Sequence, residues 1–398
     1  MATVLFLAHR LPFPPNKGDK VRSFHVLQRL LARHRVLLGT FVDDPADEPF
    51  VPQMRALCSE SLVRPLRPNS ARLRSARGLL NGQPLSVEYY NDAAMHAWVQ
   101  RVRQEAGVDA VWVFSSTMIQ YASAFQVPVV IDFADVESQK WAEYGRTRSW
   151  PMSWVYAREG RKLLDLERAS SRQAACSLFA TDLETDLFKQ LAPDCAGRVA
   201  TLQNGVDVAY FASDPGRPSP FGKGEVPVVF CGTMDYWPNV DAVTWLVRDI
   251  WPRLRVNRPE LRLHIVGRHP TAAVQQLAGP DVHVTGTVAD VRPYLQHAAC
   301  VLAPVRLARG IQNKVLEAMS MGQAVVATSR CADAIEAQAG VHLLTADDAD
   351  GFVRQAQQLL QSPQQTAAMG RDARQCVLDR YTWPARLAEV DAFLGLPT

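Results

Sequence analysis

Between Cys300 and Thr328 the chain passes through an apolar run (Cys300–Val305), a glycine at 310, a helical pattern from about Asn313, a Ser320-Met321-Gly322 stop and a second apolar run, Ala324–Thr328. Strand, glycine loop, helix and strand in that order make one βαβ unit, whose loop lies at the carboxyl end of a parallel strand. Asn313 is placed to cap the helix, which leaves the N–H groups of Lys314, Val315 and Leu316 facing outward at the positive end of its dipole. Such a helix start accepts phosphate. Glu317 follows on the first turn, where its carboxylate either accepts hydrogen bonds from sugar hydroxyls or only complements the dipole.

The same alternation extends along the chain. Thr3–Ala8 predicts a buried parallel strand, followed by an amphipathic helix over 21–33 and a strand over 36–42. Further strand-length apolar runs lie at 109–114, 128–133 and 176–180, with a long helical pattern over 136–173. Asp214 to Glu225 is dense in proline and glycine and reads as a linker. Strands are then expected at 226–231, 261–266, 282–285 and 341–344, helices at 243–254 and 291–298, and two or three more helices between 348 and 394. Alternating strands and helices predict α/β domains with parallel sheets. The expected division is 1–210, a linker at 211–225, a second domain at 226–380 and a returning helix at 381–398, with a cleft between the domains.

Composition narrows the functional classes. A length of 398 residues calls for more than one core, and 47% hydrophobic with 21% charged residues is an ordinary globular balance. A net charge of +3 is too mild to argue for nucleic acid. The seven cysteines are scattered with no Cys-x-x-Cys pair, which suits reduced core residues in a cytoplasmic protein. No metal-ligand spacing, secretory leader or membrane-span-length apolar run is present.

Gly310 with Glu317 seven residues on, inside Leu316-Glu317-Ala318-Met319-Ser320-Met321-Gly322 and followed by Val325-Val326-Ala327-Thr328, resembles the donor-binding segment of family-4 retaining glycosyltransferases. Asn204–Asp207 resembles that family's interdomain hinge, Phe230–Met234 its first strand and loop of the second domain, His264–Arg268 and Val284–Val288 later strand ends, and Arg380–Pro384 the crossing back to the first domain. Pro12–Arg22, Gly82–Tyr90 and Asp132–Trp141 look like the exosortase-associated sugar transferases of bacterial exopolysaccharide clusters. The resemblance implies the GT-B architecture, two Rossmann-like doubly wound domains facing a central cleft.

It also implies roles. Glu317 matches the second Glu of a Glu-x7-Glu motif, which holds the ribose of a nucleotide sugar, and the helix amides (Asn313, Val315, Leu316) hold its diphosphate. The first Glu position is Arg309, a departure. The family places an Arg and a Lys shortly after the strand ending at Gly232-Thr233; Asp235–Asn239 carries neither, so Arg268, Arg309 or Lys314 is expected to supply the charge. Gly18 matches the glycine loop of the first domain, beside donor phosphate and acceptor.

Asp135, with Asp132, stands at a strand end where it could orient an acceptor hydroxyl or take its proton, or where either could cap the following helix. The family often has a His near this point. The implied activity is metal- and cofactor-independent hexosyl transfer from a nucleotide diphosphate sugar to a glycan or lipid-linked acceptor. A nucleotide-sugar epimerase and a non-catalytic donor-binding module are the competing readings. Arginines between Arg64 and Arg77, and aromatics and cations between Arg146 and Lys162, suit peripheral contact with a membrane or are solvated helix faces.

Overall fold

The computed structural model describes residues 1–15, 18–307 and 311–397. The chain forms two compact units, Met1–Gln203 with Arg386–Thr398, and Asn204–Ala385.

The first unit is built on seven parallel strands: β1 (Thr3–Ala8), β2 (Arg35–Val42), β3 (Glu60–Pro65), β4 (Ala110–Phe114), β5 (Val129–Ala134), β6 (Cys176–Phe179) and β7 (Val199–Thr201), in the order β3-β2-β1-β4-β5-β6-β7. The central strands are apolar along their whole length because helices cover both faces; Val4 to Ala8 and Ala110 to Val113 are fully buried. Strand order reverses between β1 and β4, so the loops after these strands diverge to opposite faces and leave a crevice at their carboxyl ends. The Gly18–Leu31 helix follows the β1 loop.

The second unit holds six parallel strands: β8 (Val226–Cys231), β9 (Leu261–Val266), β10 (Val282–Gly286), β11 (Cys300–Ala303), β12 (Val325–Ala327) and β13 (Leu344–Thr345), in the order β10-β9-β8-β11-β12-β13. Its reversal lies between β8 and β11. The loop into the Asn313–Ser320 helix and the loop carrying Gly232 and Thr233 therefore flank one crevice.

Several elements differ from the sequence expectation. The long pattern over 136–173 is two helices, Glu137–Thr147 and Met152–Gln173, broken at Pro151, which cannot donate the backbone bond that continuity needs. The helix expected from 243 starts at Trp237 and contains a π turn over Leu246–Ile250. β3 and β7 are edge strands, and β3 mixes Glu60, Arg64 and Pro65 with its apolar residues, so it gives no clean apolar run. The stretch 211–225 lies within the second unit. There Asp214 N donates to Gln296 Oε1 at 3.0 Å, and a ring nitrogen of His297 lies 2.8 Å from Arg217 O.

The two ends of the second unit meet: Val206 N donates to Tyr381 O at 2.7 Å, and a Cβ on Gly205 would lie 2.8 Å from Trp383. Beyond them the last residues complete the first unit. Asp391 is fully buried there and accepts from Arg29 at 2.8 Å and Arg33 at 3.1 Å, with His34 Nε2 at 3.0 Å.

Candidate active site

The crevice of the second unit is assembled by backbone contacts between loops. Gly232 N donates to Val266 O at 3.0 Å and Met234 N to Arg268 O at 2.8 Å. Gly267 has φ 155°, and a Cβ there would lie 1.7 Å from Gly232 O, so the loops after β8 and β9 meet at a distance only glycine allows. Gly232 and Thr233 are half-buried on this seam, and so is Arg268, whose guanidinium bonds no described residue.

The helix start differs from the expected cap. Gln312, not Asn313, is the cap residue; its backbone is extended and its side chain makes no capping bond. Asn313 is the first helical residue, and its Oδ1 is buried with no partner among the described residues. Val315 N and Leu316 N are already used, donating to Gln312 O at 2.8 and 3.4 Å. The helix therefore offers a ligand the N–H groups of Asn313 and Lys314, which bond no described residue, rather than those of Val315 and Leu316. Arg309 and Gly310 lie outside the described residues.

Lys314, on the first turn, and Glu317, three residues on at the start of the second, face the crevice together. Lys314 Nζ donates to Asn239 Oδ1, lies 3.5 Å from Gln312 Oε1, and sits 5.3 Å from the centre of the Phe230 ring. Burial lowers its ammonium to about 8, against the pull of Glu317. Burial likewise raises the Glu317 carboxyl to about 7, with Lys314 opposing. The Glu317 carboxylate accepts no hydrogen bond from a described residue, and the side chain keeps part of its surface exposed. It is a carboxylate with acceptor capacity to spare beside a cation and two helix amides.

Asn239 is the residue the sequence did not single out. It is buried, and its Nδ2 donates to Thr233 O at 2.8 Å while its Oδ1 accepts from Lys314. One amide thus fastens the loop after β8 to the helix after β11. An asparagine after Pro238 carries no local signature of this role. Arg306, the cation next along from β11, is engaged by Asp241 at 2.7 Å and stacks on Trp245 at 4.8 Å.

In the first unit, Gly18 opens the Gly18–Leu31 helix, exposed, with nothing within 4 Å of where a Cβ would stand. Next to it Asp19 bonds Arg10 at 2.7 Å and lies 3.4 Å from His9. Burial would raise its carboxyl, but bonds from His9 and Arg10 hold it well below the usual carboxylate range. Asp135 is exposed just past β5. Neither Asp132 nor Asp135 caps the following helix: Val136 N donates to Glu184 Oε2 at 2.7 Å, and Asp132 is fully buried against Arg22 Nε at 2.9 Å. Ser115 (φ 79°) and Ala134 (φ 64°) put left-handed, non-glycine backbone at the carboxyl ends of adjacent strands β4 and β5, the kind of strain that gathers at ligand sites. Among the described residues no group of three or more His, Cys, Asp or Glu could hold a metal ion.

Residues 225–362 match the model of the family described as glycosyl transferases group 1. The match contains β8 to β13 and the Asn313–Ser320 helix, hence the whole crevice just described. No curated protein matches the sequence. Among solved structures, HepE of Anabaena in complex with UDP-glucose is similar with a TM-score of 0.71 at 16% identity, over 99% of this chain and 100% of that one. Sucrose-phosphate synthase from Thermosynechococcus elongatus gives 0.72 at 15% identity, over 98% of each chain. WaaG, a glycosyltransferase involved in lipopolysaccharide biosynthesis, gives 0.67 at 18% identity, over 98% of this chain and 100% of that one. The fold is the two-domain, parallel-sheet α/β fold of the GT-B glycosyltransferases.

Proposed function

We propose that the protein is a retaining, metal-independent glycosyltransferase that moves a hexose from a nucleotide diphosphate sugar to a glycan or lipid-linked acceptor in bacterial exopolysaccharide assembly. The observation that carries this reading is the pairing of Lys314 and Glu317, three residues apart near the start of a helix at the strand-order reversal, within the segment that matches the group 1 family. Glu317 accepts from the ribose hydroxyls. The N–H groups of Asn313 and Lys314 hold the diphosphate. Lys314, with Arg268 nearby in the adjoining loop and Arg309 in the first motif position, offsets the charge that grows on the diphosphate as the sugar departs.

The stretch 235–239 carries no cation of its own, and Lys314 reaches across to bond Asn239 on the helix that starts at Trp237. This supports Lys314 as the substitute. In the transfer step the bond from the anomeric carbon to the diphosphate breaks, the acceptor oxygen bonds the same face, and the leaving diphosphate takes the acceptor proton. Gly18 and Asp135 serve the acceptor side. An acceptor on a lipid carrier would bring the enzyme to the inner face of a membrane.

A thermal-shift screen across UDP-, GDP- and ADP-sugars tests the reading, with UDP-glucose first because HepE is seen with it. One donor should raise the melting temperature and release free nucleotide when acceptor is added. No shift with any donor refutes the proposal. Conversion of the donor without acceptor indicates an epimerase, and binding with no nucleotide release under any condition indicates a non-catalytic module.

A further inference from the structure

The first unit carries an exposed feature with no part in donor binding. The Glu137–Thr147 and Met152–Gln173 helices pack at close range: a Cβ on Gly145 would lie 3.1 Å from Ala157 N, and one on Gly160 would lie 2.8 Å from Ser138 O. The turn joining them is apolar and uncovered, with Trp150 81% and Trp154 52% exposed and Met152 beside them. From Tyr144 to Leu164 the cations are Arg146, Arg148, Arg158, Arg161 and Lys162, and the one acid is Glu159. Arg158 and Glu159 are both buried, so the charge left facing water within this span is positive, with half-buried Glu143 and exposed Asp165 just beyond its two ends.

That buried pair has a structural task. Arg158 donates to Gly78 O and Gln83 O, and Glu159 accepts from Leu85 N at 2.7 Å and Ser86 N at 2.8 Å. Arg158 lies one turn along the helix from Trp154. The clamp thereby fixes a second segment alongside, and that segment has the same character. Between Glu60 and Glu88 there are five arginines and no acid. Leu80 is 91% exposed, with Leu73 and Leu79 also exposed, next to exposed Arg72 and Arg77. A groove of about 550 Å³ runs along the hairpin, with Ala142, Ala157 and Leu164 in its lining and Arg146, Trp154 and Arg161 beside them.

Tryptophans at a tip, leucines beside them, and arginines with no exposed acid between them fit one kind of partner. Indole rings settle at headgroup depth, leucines reach the acyl boundary, and arginines meet lipid phosphates. Among the described residues no helix is long and apolar enough to cross a membrane, so contact of this kind is interfacial. We propose that the face formed by residues 72–80 and 146–161 docks the protein on an anionic lipid bilayer.

The test is co-sedimentation of the full chain with phosphatidylcholine vesicles and with vesicles containing phosphatidylglycerol. Wild type should pellet with the anionic vesicles, remain in solution with the zwitterionic ones, and be released by salt. Trp150→Ser with Trp154→Ser should abolish pelleting. Arg146→Gln with Arg148→Gln and Arg161→Gln should weaken it roughly a hundredfold, at about fivefold per arginine near a charged surface. All of these side chains lie at the surface, and circular dichroism checks that the variants fold. Wild type that stays in solution with anionic vesicles, or variants that pellet as well as wild type, overturns the proposal. Self-association lost in the tryptophan variant, without vesicle binding, would assign the face to a second copy instead. None of these outcomes bears on the donor site, so the transferase reading is judged separately.

Discussion

Replacing Glu317 by glutamine should make the unliganded protein more stable and the donor complex weaker, and the first effect should depend on pH. The carboxyl is raised to about 7 from an ordinary value of 4.5 by burial beside Lys314. Holding it ionised therefore costs up to about 3 kcal/mol, at about 1.4 kcal/mol per tenfold. Part of the side chain meets water, so roughly half of this, about 1.5 kcal/mol, is the expected saving.

The sign follows from the direction of the shift. A carboxyl raised in the folded state destabilises progressively as pH rises from the unfolded value through the folded one, and the cost is complete above about 7. The difference in melting temperature between Glu317→Gln and wild type should be near zero at pH 4 and grow to roughly 3–6 °C at pH 8. Calorimetric titration at pH 8 should show donor binding weakened roughly 2- to 30-fold, because a charge-assisted bond worth about 1.5–3 kcal/mol is replaced by a neutral one worth about 1 kcal/mol. A melting difference that is the same at both pH values refutes the burial argument. Equal donor affinity refutes the ribose contact and leaves Glu317 only the dipole.

Lys314→Ala should lower the transfer rate roughly a hundredfold while changing donor affinity much less, since leaving-group charge grows toward the transition state; equal losses in both would remove Lys314 from the chemistry. With Glu317 at about 7 and Lys314 at about 8, kcat/KM should fall on both sides of a narrow optimum, and Lys314→Arg should remove the alkaline limb. Activity in excess EDTA should equal activity with added Mg²⁺; turnover lost on chelation and restored by Mg²⁺ or Mn²⁺ would replace Lys314 by a metal in the account of the leaving group.

What the sequence displayed and what it hid follow from the range of the forces involved. Central strands such as β1, β8 and β9 are buried on both faces and read directly as apolar runs, and Val325–Ala327 after a glycine stop marks a βαβ unit in the same way. Edge strands β3 and β7 meet water and lose that signal. The helix bearing Glu317 was legible because its apolar face and its stop are local. Its cap was not, because Asn313 has the better capping chemistry and tertiary contacts nevertheless put Gln312 in that place. The bond between Asn239 and Lys314 spans 75 positions, and that between Arg158 and Gly78 spans 80, so no local pattern can announce either.

The burial of Asp391 against Arg29, Arg33 and His34 sets an order of events during synthesis. His34 and Asp391 are 357 positions apart, and the whole second unit lies between them. At about 5–20 residues per second, the basic end of the first long helix waits roughly 20–70 s for the buried Asp391 to leave the ribosome. The second unit's wait is about half as long, roughly 9–35 s, since its ends close on each other at Val206 and Tyr381 as soon as both are made. The unit that begins first on the ribosome is thus the one finished last, and until then its cationic edge is exposed to whatever polyanion or chaperone the nascent chain meets.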